Sequence, residues 1–106
     1  MKDLDKIRLG NPNIVLTKGY MPLTITVSAN TPTLIYRANE ARVIVLSNIN
    51  NPNATPLFIG PNDSVTHLSG YPITNGERIT IGMLENTAIY GYSVAELEVY
   101  VIDTGV

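Results

Sequence analysis

The chain contains no cysteine and no tryptophan, and only one phenylalanine and one histidine. Without cysteine there are no disulfides, no thiolate metal sites and no thiol nucleophile. A single histidine, His67, rules out a metal site built from several histidines and leaves catalytic schemes short of a base. With one phenylalanine and no tryptophan, the core must be assembled from aliphatic side chains and some of the six tyrosines. Charge is also scarce. Charged residues make up 15% of the chain, against roughly 25% in an ordinary soluble domain. A surface this poor in charge fits burial against other chains. Uninterrupted apolar runs long enough to cross a membrane as a helix are absent as well, so no membrane partner is expected.

The basic residues Lys2, Lys6, Arg8, Lys18, Arg37, Arg42 and Arg78 are scattered, and the net charge is −2. No basic stripe interleaved with aromatics forms, so nucleic acid is not an expected partner. The N-terminus lacks the apolar segment of a signal peptide, which points to cytosolic synthesis.

What the sequence does have is a rhythm of short apolar runs and dense Asn, Pro and Gly clusters, clearest between residues 42 and 81. Strands are expected at Ile14–Thr17, Leu23–Val27, Thr33–Arg37, Arg42–Asn48, Pro56–Gly60, around Val65–Leu68, Thr87–Tyr92 and Ala95–Ile102. Asn75-Gly76, between two further apolar runs, is the strongest hairpin signal, and a type I′ turn is expected there. In the last strand Leu97, Val99 and Val101 face inward while Glu96 and Glu98 face water. With no useful helical window, the expected fold is all-β, an antiparallel jelly-roll-like sandwich of about eight short strands.

Residues 1–13 differ. They are charged, end on Asn11-Pro12-Asn13, and are expected to form an extended N-terminal arm preceding a single domain over 14–106. Leu4, Ile7 and Leu9 would let the arm dock on a neighbouring subunit, the alternative being a mobile terminus. The strand Arg42–Asn48 is apolar on both faces and therefore needs cover on both. Ile44 and Leu46 are accordingly candidates, with the arm residues, for an oligomer or capsid contact.

Other groups have plain explanations. His67 sits in a Ser- and Thr-rich loop and reads as a surface residue. Asp63, with Asn62 and Ser64, offers oxygens to calcium, but the same residues make a turn. Glu77 with Glu85, or Glu96 with Glu98, could be drawn as a glycosidase pair, yet the second pair has the spacing of solvated strand charges. Tyr71, Tyr90, Tyr92 and Tyr100 are candidates for a carbohydrate-stacking platform or for core and interface filling. No catalytic residue, metal ligand or cofactor follows from these patterns, and an enzyme is not expected.

The succession VIVLSNIN, PLFIGPNDSVT, GYPITNGERITI and TAIYGYSVAELEVYVI resembles small all-β virion proteins of tailed bacteriophages. Those are head decoration (cement) proteins and the related β domains of head fibres and tails. The likeness rests on Asn48, Gly60, Gly70-Tyr71-Pro72 and Gly76-Glu77 in order, and covers roughly residues 30–103. It implies a virion structural role, often as a homotrimer, with the major capsid protein or another virion protein as partner. It brings no catalytic residue. A receptor- or glycan-binding module of a phage tail or fibre is the alternative.

Overall fold

The computed structural model describes residues 7–8, 15–16, 22–49 and 51–105. Among these residues every regular element is a strand. β1 (Ile7–Arg8) and β2 (Val15–Leu16) pair only with each other, Ile7 opposite Leu16. The segment expected to open the sandwich thus pairs with part of the expected arm, and the first sandwich strand is β3 (Pro22–Val27). There follow β4 (Thr33–Ala38), β5 (Arg42–Asn48), β6 (Leu57–Gly60), β7 (Tyr71–Ile73), β8 (Glu77–Met83), β9 (Thr87–Tyr92) and β10 (Leu97–Asp103).

These eight strands form two antiparallel four-stranded sheets, ordered β3-β10-β5-β8 and β4-β9-β6-β7. Alternation puts apolar side chains between them. The first sheet contributes Val27, Ile44, Leu46, Met83, Leu97, Val99 and Val101, and the second Ile35, Ala38, Leu57, Ile73 and Ile89. All twelve are aliphatic or thioether side chains, so among the described residues no aromatic is fully buried in the interior. Burying each of the larger ones contributes about 1.5–3 kcal/mol before entropy is counted. Glu98 faces water from β10, between the inward Leu97 and Val99.

Two local expectations change, and one expected strand is irregular. Asn75-Gly76 does not close a hairpin. β7 and β8 lie in different sheets, and the turn carries the chain across the sandwich. The Glu77 N–H donates to the Thr74 carbonyl at 3.0 Å, and Gly76 has φ of 94°, while Asn75 is not among the residues with positive φ. That is the pattern of a type II turn, not type I′. The Gly76 N–H, free in an ordinary turn, donates to the Asn48 carbonyl at 2.6 Å and anchors the crossing.

Second, Val65–Leu68 is not a strand. Thr66 and Ser69 tie the segment into turns: the N–H groups of Ser69 and Gly70 donate to the Thr66 carbonyl at 3.2 and 2.9 Å, and the Thr66 N–H donates to the Ser69 hydroxyl at 3.1 Å. Such local bonds compete with a ladder. Val65 is still buried, because its side chain fills the space left by Gly60 and Gly70.

The irregular strand, β4, does not alternate evenly. Its register against β9 shifts between Leu34 and Tyr36, which inserts Ile35 as an extra residue. Ile35 is buried and Tyr36, opposite the buried Ile89, packs against the core. The bulge thereby turns two successive side chains inward.

Candidate functional site

Two inter-sheet ties sit at opposite ends of β5. At one end the Tyr36 hydroxyl donates to Asp103 Oδ2, joining β4 to β10. Asp103 Oδ1 accepts from the Gly105 N–H at 2.8 Å and from Arg42 at 3.5 Å, and Arg42 also meets Glu40 at 2.9 Å. Burial, and then the bond to Asp103, push the Tyr36 phenol from 10.0 up to about 12. At the other end Asn48, fully buried, donates from Nδ2 to the carbonyls of Ile73 at 2.8 Å and Thr55 at 3.3 Å. Asn51, Thr55 and Ser93 extend this polar cluster. Tyr36–Asp103 and Asn48–Ile73 join the two sheets and the remaining bonds brace their ends, so both ends read as structural.

The outer faces are the remaining surfaces. On the first sheet, cross-strand partners share a face. Ile102 opposes Val45 and Tyr100 opposes Ser47, so Val43, Val45, Tyr100 and Ile102 all turn outward. Val45 is only 2% exposed although it lies outside the interior cluster.

On the second sheet, Tyr90 opposes Leu34, and Phe58 opposes both Tyr92 and Pro72. Inward placement of Ile89 and Gly91 leaves Tyr90 and Tyr92 on the outer face. His67 reaches this face from the β6–β7 loop. Its ring stacks on Tyr92, with centroids 6.2 Å apart, and meets Phe58 edge-on at 6.5 Å. Tyr92 also bonds Asn30 at 3.1 Å. The one phenylalanine of the chain is therefore a surface-layer residue. Gly70 permits this, because a Cβ there would stand 2.6 Å from the Phe58 Cβ. Flat rings edged by hydroxyl, imidazole and amide groups suit stacking against C–H-rich or aromatic surfaces.

Of the residues expected at contacts, Ile44 and Leu46 belong to the interior, both at 0% exposure. The outward pair on that strand is Val43 and Val45, because it is Ile44 and Leu46 that share the face of Val101 and Ile81. Ile7 lies in β1, while Leu4 and Leu9 fall outside the described residues. The four tyrosines do not gather. Tyr90 and Tyr92 share one face, Tyr100 lies on the opposite sheet, and Tyr71 is on edge strand β7 on the side of Ile59.

His67 is exposed. Asn62 accepts the Ser64 N–H at 3.0 Å, so Asn62-Asp63-Ser64 makes a side-chain-closed turn. Glu77 accepts from the Thr74 N–H at 2.8 Å and Thr74 hydroxyl at 3.0 Å, capping its own turn. Glu85, Glu96 and Glu98 are exposed. Among the described residues, no three of His, Cys, Asp and Glu gather where they could hold one metal ion.

The aromatic face is the feature sequence reasoning missed. The alternation of Tyr90 and Tyr92 with Ile89 and Gly91 signals one outward pair. Nothing in the sequence pairs that strand with Phe58 or brings in His67. No protein-family model, no curated protein and no solved structure matches this chain.

Proposed function

We propose that this chain is a virion structural protein of a tailed bacteriophage, a decoration subunit that binds and stabilises the head shell. The observation that carries it is the character of the two outer faces. Val43, Val45, Tyr100 and Ile102 cover one, and Leu34, Phe58, Tyr90 and Tyr92 the other. The first face is largely covered within the chain, Val45 being 2% exposed, whereas the second leaves Leu34 41% exposed beside the half-buried Phe58, Tyr90 and Tyr92, an apolar and aromatic patch suited to cover in an assembly. The succession of residues around Asn48, Gly60, Gly70 and Gly76 supports the same role by resemblance.

Jelly-roll topology is part of the proposal. Numbered within the sandwich, the strands fall in the orders 1-8-3-6 and 2-7-4-5, the arrangement that two interlocked Greek keys produce. Homotrimers suit the threefold and quasi-threefold positions of an icosahedral shell, where one contact is repeated by symmetry. Three linked footprints then hold far more tightly than one. The arm, residues 1–13, supplies a further contact to the neighbour or the shell.

The test is co-sedimentation of the purified chain with shells freed of accessory proteins. Saturable binding at symmetric stoichiometry, with a trimer in analytical ultracentrifugation, is the expected result. A chain that stays in the supernatant and sediments as an 11.5 kDa monomer rejects the proposal.

The cluster of Phe58, His67 and Tyr92 favours a second reading, a receptor- or glycan-binding module of a tail or fibre. Binding to a host-surface glycan that is lost in Tyr92→Ala, without capsid binding, selects it.

A further inference from the structure

Open sheets have edges, and proteins ordinarily blunt them against strand addition. Three of the four sandwich edges here are blunted. β7 has three residues with Pro72 at its centre, β4 carries the bulge between Leu34 and Tyr36, and β3 begins on Pro22. The fourth, β8, is neither short nor bulged nor interrupted by proline, and carries charge only at its first two residues, Glu77 and Arg78. It has seven residues, no proline, and an unbroken register with β5 from Met83 opposite Arg42 to Glu77 opposite Asn48. Among the described residues nothing pairs with its other side.

We propose that β8 is a self-association edge. The β8 strand of a second copy of this chain adds antiparallel to it, about a twofold axis through Thr80, and joins two four-stranded sheets into one. The occupant is identified by self-complementarity. Thr80 is the middle residue of Glu77–Met83, so centring the axis there matches every position of the strand. Ile79 then opposes Ile81, Arg78 opposes Gly82, and Glu77 opposes Met83. Antiparallel partners share a face, so the isoleucines meet on the interior side and Arg78 lies along Gly82 on the outer side. Gly82 has nothing within 4 Å of where its Cβ would be, which leaves room for the arginine stem. No charge meets its like, the condition a strand must satisfy to pair with itself.

Leu84 follows directly, 74% exposed. In the pairing it faces the partner's Gly76, another position with nothing within 4 Å of a Cβ. Leu84 then lies along the partner's turn main chain, with no side chain in its way.

The contact is isologous and uses only one strand edge. It lies apart from the aromatic outer face, so with the threefold contact proposed above it would join trimers in pairs, and without that contact it gives a dimer; it holds whether or not the chain is a virion protein.

The absence of native cysteine makes the test clean. Thr80→Cys places two thiols opposite each other, where antiparallel Cβ atoms stand about 4.5–5.5 Å apart, close to disulfide reach. Under mild oxidation at micromolar concentration it is expected to form a covalent dimer much faster than Thr26→Cys, on edge strand β3. Charge variants at Gly82 give the second readout. On the Thr80→Cys background, Gly82→Glu faces Arg78 twice by symmetry and raises the cross-linking rate by roughly threefold to tenfold. Gly82→Arg lowers it similarly, and adding Arg78→Glu restores it. Equal rates for Thr80→Cys and Thr26→Cys overturn the proposal. So does a cross-linking rate indifferent to charge at Gly82 in variants that retain the parent melting temperature.

Discussion

The Tyr36 hydroxyl donates its proton to the Asp103 carboxylate across the sandwich, so that β4 of one sheet is tied to β10 of the other. The bond depends on the β4 bulge, which turns Tyr36 inward where plain alternation would turn it to solvent. Tyr36→Phe removes one hydrogen bond to a charged, part-buried acceptor. It is expected to destabilise by roughly 1–2 kcal/mol in urea titrations at neutral pH.

Burial of Tyr36, together with this bond, has a pH signature. The Tyr36 phenol is raised from 10.0 to about 12, so the folded state favours the protonated form. Its contribution is whole below pH 10, declines as pH rises through the interval from 10 to 12, and is gone above it. The stability difference between the parent chain and Tyr36→Phe should therefore be flat from neutrality to about pH 9 and shrink across the alkaline interval. A difference that grows with pH would exclude the assignment.

Asn48 ties the opposite end by donating to two main-chain carbonyls, those of Ile73 and Thr55. Asn48→Ala leaves the buried Ile73 carbonyl without that donor, while the Thr55 carbonyl keeps Asn51, and is expected to lose about 1–3 kcal/mol. Asn48→Asp should lose more at neutral pH, because a carboxylate then faces two carbonyls. It should recover part of the loss in acid. Chemical denaturation at two pH values separates the variants.

Gly70 and Gly82 make a matched pair. A Cβ at Gly70 would stand 2.6 Å from the Phe58 Cβ and 3.1 Å from the Phe58 carbonyl carbon, and main chain cannot step aside as a side-chain tip can. Gly70→Ala is expected to cost about 1–3 kcal/mol. Gly82→Ala meets nothing and should stay within about 0.5 kcal/mol of the parent. Equal melting temperatures for the two variants would contradict this packing.

At Gly76 the constraint is conformational alone, since its φ is 94° and nothing lies within 4 Å of a Cβ. Gly76→Val should destabilise by about 1 kcal/mol or more, and Gly76→Asn by less, because asparagine tolerates positive φ far better. Thermal melts of the two variants test the order.

Most strands were legible because alternation is local. Leu97, Val99 and Val101 announce an inward face without reference to any other segment, and that face is the observed one. Pairing is not local. The pair Asn75-Gly76 favours a tight turn equally well between partners in one sheet and between strands of two. The choice here is made by Asn48, which captures the Gly76 N–H from a distant strand. Burial on both faces of β5 was legible in its composition. Which pair turned outward was not, because that depends on its neighbours β10 and β8. The aromatic face follows the same logic. Tyr90 and Tyr92 betray a common direction, but the approach of Phe58 and His67 is fixed by a ladder and a loop that no short window contains.

From β3 to β10 the chain changes sheet at every step but one, between β6 and β7. Neither sheet can therefore be completed by a continuous piece of polypeptide. The partner of β3 is β10, so the first strand of the sandwich waits for the last to emerge from the ribosome. Loop-closure entropy must be met before any of these ladders returns enthalpy, which makes folding slow for a chain of this length. Fragments cut within the sandwich should have no stable structure of their own, and during synthesis the nascent chain would hold unpaired β edges until β10 is released.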